Sequence, residues 1–246
     1  LGDSLLIFNK FIEDEGYATY LLSMDNDFTV VVSSDNSMVY YSPYSDIKGS
    51  ATAKRQADKF KAMVNNEGNL AVVSQLCTYT PETYDSLANT YADFAVGKDR
   101  DAFPAFLKKE ILEYNIVLGD VNSEKDRTEN RTYYMSKGFG AVMVERGADG
   151  MVERIAGGRE RQHGAMIPVD KSYKQENGYT LQLGTSMIQP PTQSVYDVLS
   201  NDTAFLDFYE LCASVNSDVM NLLLGTETSK NEWNDYRVFD KTNSLV

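Results

Sequence analysis

Residues 177–191 read NGYTLQLGTSMIQPP, and this stretch decides the fold class. The Asn-Gly pair at its start is typical of a tight turn, because glycine accepts the positive φ that such turns require. The apolar run over residues 179–188 follows directly and predicts a strand. Pro190-Pro191 ends that strand, since proline cannot donate a ladder hydrogen bond. We therefore predict the last strand of an antiparallel sheet here.

The region between residue 119 and this stretch shows the same pattern of apolar runs and turns. Short apolar runs alternate with turns that contain glycine, such as Asp149-Gly150 and Gly157-Gly158. Such turns between apolar runs are the strongest short-range signal for hairpins. The sequence therefore predicts an antiparallel meander. Its apolar runs cover residues 132–135, 141–144, 152–155 and 165–169.

The first half of the chain has a different pattern. Apolar residues recur at helical spacing over residues 4–15, 51–64 and 101–114, which predicts three helices. A β-branched run at residues 28–32 and a short apolar run at 70–73 predict strands. Helices followed by a meander indicate an α+β fold rather than a parallel sheet with helical crossovers.

Three segments carry a resemblance to the fasciclin domain family. FTVVVSSDNSM at residues 28–38 resembles the family's first signature. ILEYNIVLG at residues 111–119 resembles its central signature, and residues 177–191 resemble its closing one. The segments occur in the family's order, and the resemblance covers roughly residues 4–200. The resemblance implies a wedge of short, mostly antiparallel strands flanked by N-terminal helices.

The chain also departs from the family's signatures. Ser33 replaces the proline of the first signature, Asn115 the central histidine and Thr180 the histidine of the closing one. The resemblance implies a structural role for residue 115, and an asparagine amide can bond the carbonyls that a helix end leaves open. The stretch where some animal members carry an integrin-type Asp-Ile motif reads DKSY at residues 170–173, so integrin binding does not carry over.

Charge and cysteine content narrow the function classes. The 246 residues include 23 Lys and Arg against 36 Asp and Glu, a net charge of −13. This argues against nucleic acid or an anionic membrane as partner, because both require a basic face. No apolar run reaches the roughly 18 residues of a membrane helix. Cys77 and Cys212 both sit beside apolar residues and are predicted to be buried free thiols, with a single disulfide between them as the alternative.

The sequence offers little for catalysis. His163 is the only histidine, and no nucleophile motif accompanies it, so we predict a turn residue without a catalytic partner. One histidine and two separated cysteines predict neither a metal site nor a cofactor. Gly157-Gly158-Arg159 would hold a phosphate only before a helix, and a strand is predicted there. A pair of carboxylates, as in a glycan hydrolase, remains an alternative.

The sixteen tyrosines supply the candidate recognition surface. Tyr40, Tyr41 and Tyr44 cluster directly after the first strand. Exposed tyrosines favour recognition of proteins or sugars, because their rings are rigid and amphipathic. The alternative is that one ring of each adjacent pair packs inward, here and at Tyr133-Tyr134.

The resemblance implies a non-catalytic adhesion or scaffolding module outside the cytoplasm, secreted or anchored to the cell surface, in a bacterial envelope. Its partner is expected to be a protein or a matrix component, with glycan binding as the alternative. We predict one domain over residues 1–192. Residues 193–246 resume the rhythm of the N-terminal helix and are predicted to begin a second, incomplete fasciclin-like unit.

Overall fold

A computed structural model describes residues 5–41, 55–80, 84–85, 90–91, 94–99, 105–192, 199 and 203–210. The helices are α1 Leu6–Asp14, α2 Ala18–Leu21, α3 Ala105–Asn115, α4 Glu124–Thr128 and α5 Gly158–Gln162. The strands of the first half are β1 Phe28–Ser33, β2 Val39–Tyr41, β3 Arg55–Val64, β4 Leu70–Tyr79, β5 Tyr84–Asp85, β6 Thr90–Tyr91 and β7 Ala95–Asp99. Those of the second half are β8 Ile116–Leu118, β9 Tyr133–Met135, β10 Ala141–Arg146, β11 Val152–Ala156, β12 Ile167–Gln175 and β13 Gly178–Leu183.

The larger sheet has seven strands in the order β8-β1-β13-β12-β11-β10-β9. Only β1 and β13 pair in parallel, and every other neighbour pair within this sheet is antiparallel. The two outer strands, β8 and β9, also lie close together, because Val117 of β8 forms a bridge with Ser136, the residue that follows β9. The predicted α+β class, with short and mostly antiparallel strands behind an N-terminal helix, is confirmed.

Strand β1 is covered on both faces. Val31 belongs to a core cluster inside the seven-stranded sheet, with Leu181 and Val142. Val32 belongs to a second cluster on the outer face, with Phe8 of α1 and Ile111 of α3. Both valines are fully buried, and such burial contributes about 1.5–3 kcal/mol per side chain. The β-branched run predicted this strand because it is apolar on both faces.

Helix α1 packs its apolar face on the outer side of β1. Phe11 meets Phe60 edge to face, with ring centres 5.4 Å apart. The start of the helix is bonded from a distance, because the Asp35 carboxylate accepts the Leu6 and Ile7 amides at 3.2 and 2.9 Å. A side chain from the first signature segment therefore caps the N-terminal helix.

The helix predicted over residues 51–64 is wrong where the structure describes it. Arg55–Val64 is strand β3, paired with β4 at ten consecutive positions. Apolar residues at helical spacing also fit a strand that buries residues on two faces, as Ala57 and Phe60 show in separate clusters. The turn that joins β3 to β4 is a signal we missed, with Gly68 at φ +83°. Residues 51–54 lie outside the described part.

Two further expectations need correction. Gly157-Gly158 begins helix α5, with Gly157 at the N-cap, rather than preceding a strand. Helix α3 is present, although residues 101–104 of the predicted helix lie outside the described part. The apolar spacing that predicted it includes Phe106, which is two-thirds exposed.

The chain divides into two compact units, Leu1–Pro191 and Thr192–Val246. In the second unit the structure describes a 3-10 turn at Thr203–Phe205 and helix at 206–210. Its Phe205 and Phe208 are exposed. Cys212 and residues 211–246 lie outside the described residues, so the predicted second fasciclin-like unit stays a prediction.

Truncation after Pro191 tests the boundary. We expect the shortened chain to unfold cooperatively in urea, with a free energy of unfolding within about 1 kcal/mol of that of the full chain. The reason is that both core clusters of the seven-stranded sheet are built from residues before Pro191. Loss of cooperative unfolding would show that the tail is integral to the first unit.

Gly178 provides a test of the β1–β13 pairing. Its φ is +129°, and a Cβ there would overlap the Phe28 carbonyl. We expect Gly178→Ala to lower the free energy of unfolding by about 3 kcal/mol or more. The matched control is Gly68→Ala, where φ is +83° but the space is open, and the expected loss is about 1 kcal/mol. Equal losses in urea unfolding would contradict the close approach of the two strands.

Candidate functional site

The three signature segments come together in space. Strand β13 of the closing segment lies beside β1 of the first, with Phe28 opposite Gly178 and Ser33 opposite Leu183. Strand β8 of the central segment pairs with the other edge of β1. We call these three adjacent strands and the side chains that link them the signature core.

Asn115 links the central segment to the closing one. It is buried at the end of α3, and its amide donates to the carbonyl oxygens of Ile111 at 2.9 Å and Ile188 at 3.2 Å. The predicted role of this asparagine at the helix end is confirmed. One bond closes the last turn of its own helix, and the other holds the residue that follows β13.

Hydroxyl groups of the first segment make the other links. The Thr29 hydroxyl donates to the Gly119 carbonyl at 2.9 Å and accepts the Val121 amide at 3.1 Å. The Ser33 hydroxyl donates to the Ser186 carbonyl at 3.3 Å. Ser33 therefore makes a bond to the closing segment that a proline at this position would lack.

The expected exposure of the tyrosine cluster is wrong for two of its three members. Tyr40 and Tyr41 are 2% and 6% exposed, and Tyr44 lies outside the described residues. Adjacent residues of a strand point to opposite faces, and both faces of β2 are covered. The Tyr40 hydroxyl donates to Glu110 at 2.7 Å, while the Tyr41 ring packs 5.0 Å from that of Tyr79. These two rings are core residues, and any role of Tyr44 in binding stays a prediction.

At Tyr133-Tyr134 the inward-and-outward alternative holds. Tyr134 is buried and donates to Asp126 at 3.0 Å, while Arg146 donates to its hydroxyl at 2.7 Å. Tyr133 is about half exposed. Burial raises the pKa of Tyr134, with the hydrogen bond to Asp126 as a second cause.

A buried ion pair lies at the start of α5, a feature that the sequence did not indicate. Arg159 and Glu160 are fully buried with 3.1 Å between their charged groups. The Arg159 guanidinium also lies 3.8 Å from the Tyr41 ring centre. Glu160 accepts the amides of Gly157 at 3.0 Å and Gln189 at 3.4 Å. The pair therefore connects α5, β2 and the closing segment, and its partners indicate a structural role.

His163 follows α5, where its backbone closes the helix. Its Nε2 lies 3.3 Å from the Tyr91 hydroxyl. Burial, with the nearby Arg159 charge, lowers the pKa of His163 to about 4. The imidazole is therefore neutral at physiological pH. Among the described residues, no group of three or more His, Cys, Asp or Glu side chains is arranged to hold a metal.

Cys77 is a buried free thiol, as predicted. Burial raises its pKa, which suppresses the reactive thiolate form. Within the described part of the chain, no helix is long and apolar enough to cross a membrane.

A cleft of about 300 Å³ opens beside the signature core, between α1, α2 and the outer face of β1. Sequence reasoning missed it, because it arises from packing between distant elements. Its lining residues are Ile12, Leu21, Phe28, Val30, Val32, Gln175, Asn177, Tyr179 and Thr180.

Comparison with known proteins gives similarity to solved structures but not to protein families. No protein-family model matches the chain, and no curated protein matches it. Among solved structures, it is similar to a FAS1 domain pair of the insect cell adhesion molecule fasciclin I. The two are 15% identical with a TM-score of 0.38, over 88% of this chain and 54% of that one. The chain thus spans about half the length of the insect domain pair.

The titration of His163 can be measured through stability. Because its folded pKa of about 4 lies below the unfolded value of 6.5, its contribution is present above pH 6.5 and is lost as pH falls toward 4. We expect His163→Gln to reduce the loss of unfolding free energy between pH 6.5 and 4 by roughly 1–2 kcal/mol.

Urea unfolding at both pH values measures this difference. Glu160, whose pKa is raised by burial, acts in the opposite direction in both proteins, so the comparison between them isolates the histidine. An unchanged pH dependence in His163→Gln would contradict the buried, neutral imidazole.

Proposed function

We propose that the chain is a non-catalytic binding module that works outside the cytoplasm, at the cell surface, where it holds a protein or matrix partner. One observation carries this proposal. The segments that resemble the three fasciclin signatures are separated by more than fifty residues each, yet they form the adjacent strands β8, β1 and β13. Chance matches to short apolar motifs would have no reason to assemble in this way.

The departures from the signatures favour the same interpretation. Ser33 and Asn115 each donate to a backbone carbonyl of the closing segment. The replaced positions thus still connect the segments that the family's signatures define. This is the behaviour expected of a divergent member, in which packing is retained while individual side chains change.

The polar chemistry of the described residues supports a role without catalysis. The Asn115 NH2 group and the Thr29 hydroxyl bond backbone atoms, and the Glu160 carboxylate bonds backbone amides and the Arg159 guanidinium. A general acid or base requires a group that can reach a substrate. His163 is neutral and lies against Tyr91, which suits a packing role.

We also propose that residues 193–246 begin a second fasciclin-like unit. The division of the chain after Pro191 supports a change of unit at this point. In such an arrangement, the first unit would supply the binding surface, and residues 193–246 would connect the first unit to the rest of the second one.

Attachment of coated beads to cells tests the proposed function. Beads carrying the full chain should bind cells of the source organism, and protease treatment of the cells should abolish the binding. The matched control is beads carrying the heat-unfolded chain.

Three outcomes would contradict the proposal. Absence of attachment would argue against adhesion. Attachment that survives protease but is lost on periodate treatment would favour the glycan-binding alternative, for which exposed rings such as Tyr173 are suited. Release of reducing sugar from the cells would favour a hydrolase.

A further inference from the structure

The cleft beside the signature core has an apolar floor. Phe28, Val30 and Val32 are alternate residues of β1, so their side chains share its outer face. Val30 is the partly exposed member of this set, whereas Phe28 and Val32 are buried. Ile12 of α1 and Leu21 at the end of α2 add apolar side walls. A volume of about 300 Å³ is at the lower end of the range for specific binding pockets and holds one large side chain.

The opposite wall is polar and uncharged. It consists of Gln175, Asn177, Tyr179 and Thr180. The Tyr179 ring packs against the inner core cluster, so its hydroxyl does not face the cleft. Among the described residues, no Asp, Glu, Lys or Arg lines the cleft. A charged group would lose its hydration there without a counter-charge, so the group that enters must be neutral and mostly apolar. The Gln175 amide, the Asn177 amide oxygen and the Thr180 hydroxyl suit the N–H and C=O groups of a peptide backbone.

The surface around the cleft indicates a large partner rather than a small molecule. Leu22 and Met24 lie on the loop that joins α2 to β1, and they are 72% and 62% exposed. The Asn177 amide holds this loop in place, donating to the carbonyls of Leu21 and Ser23 at 2.9 Å each. A molecule enclosed in the cleft would leave both apolar side chains in water. A polypeptide lying across the loop would cover them.

The same loop carries negative charge. Asp25 and Asp27 are exposed beside Met24, and the chain as a whole has a net charge of −13. Electrostatic complementarity therefore favours a positively charged segment over an acidic one.

We propose that this cleft is the partner-binding site of the module. It receives one aromatic or branched aliphatic side chain of a basic polypeptide segment. The neighbouring Lys or Arg residues of that segment pair with Asp25 and Asp27, and its backbone bonds the Gln175–Thr180 wall. This inference rests on the proposed function, and it adds the site and the chemistry of the partner.

Selection from a displayed library of random twelve-residue peptides on the immobilised full chain tests the site. We expect enrichment of peptides with an apolar residue next to Lys or Arg. Thr180→Trp fills the cleft and should weaken the binding of the enriched peptide about tenfold or more. The matched control, Thr78→Trp, changes a partly buried threonine on β4 and should leave the affinity unchanged.

Surface variants cover the case in which Thr180→Trp fails to fold. Leu22→Asp and Met24→Asp alter exposed side chains, so folding should be retained while binding is lost. Asp25→Asn with Asp27→Asn should weaken binding and reduce its salt dependence. Absence of enrichment, enrichment of acidic peptides, or equal binding to wild type and the cleft variants would overturn the inference.

The bead assay separates this inference from the proposed function. If wild-type beads attach to cells and Thr180→Trp beads attach equally well, the cleft is not the site while the adhesion function stands. If peptides bind the cleft but wild-type beads attach to no cells, the site stands and the adhesion function is wrong.

Discussion

Burial of β1 on both faces is the constraint on which the rest of the first unit depends. Its inner side chains complete the core of the seven-stranded sheet, and its outer ones receive α1 and α3. A strand in this position must be paired on both edges, since unpaired backbone groups in an apolar core are costly. Strands β8 and β13 supply that pairing, which is why all three signature segments are required for the same structure.

Side-chain hydrogen bonds satisfy backbone amides and carbonyls that strand pairing leaves without a partner. The hydroxyl of Thr29 bridges the turn after β8, where the backbone leaves the sheet. The Asn115 amide donates to a backbone carbonyl at the junction of α3 and β8, and the Asp35 carboxylate accepts a backbone amide at the start of α1. Each of these bonds is made to a backbone atom. The bonds therefore fix the relative positions of the segments and place no requirement on the residues at the surface.

Sequence patterns predicted the parts of the fold that depend on local signals. The meander followed from its glycine turns, and β1 from a β-branched run. The error at residues 55–64 arose because a two-faced strand and an amphipathic helix both place apolar residues three or four apart. Tyr40 and Tyr41 were misjudged because burial of β2 depends on Glu110 and Arg159, which are distant in sequence. The cleft and the Arg159–Glu160 pair have no local signal at all.

The bridge between Val117 and Ser136 has a consequence for self-association of the protein. A sheet with two unpaired edge strands can pair with a neighbouring copy through its free amides and carbonyls, which leads to fibre growth. Here the two edge strands, β8 and β9, face one another instead. The backbone groups joined at this bridge are therefore not available for pairing with a second copy of the chain.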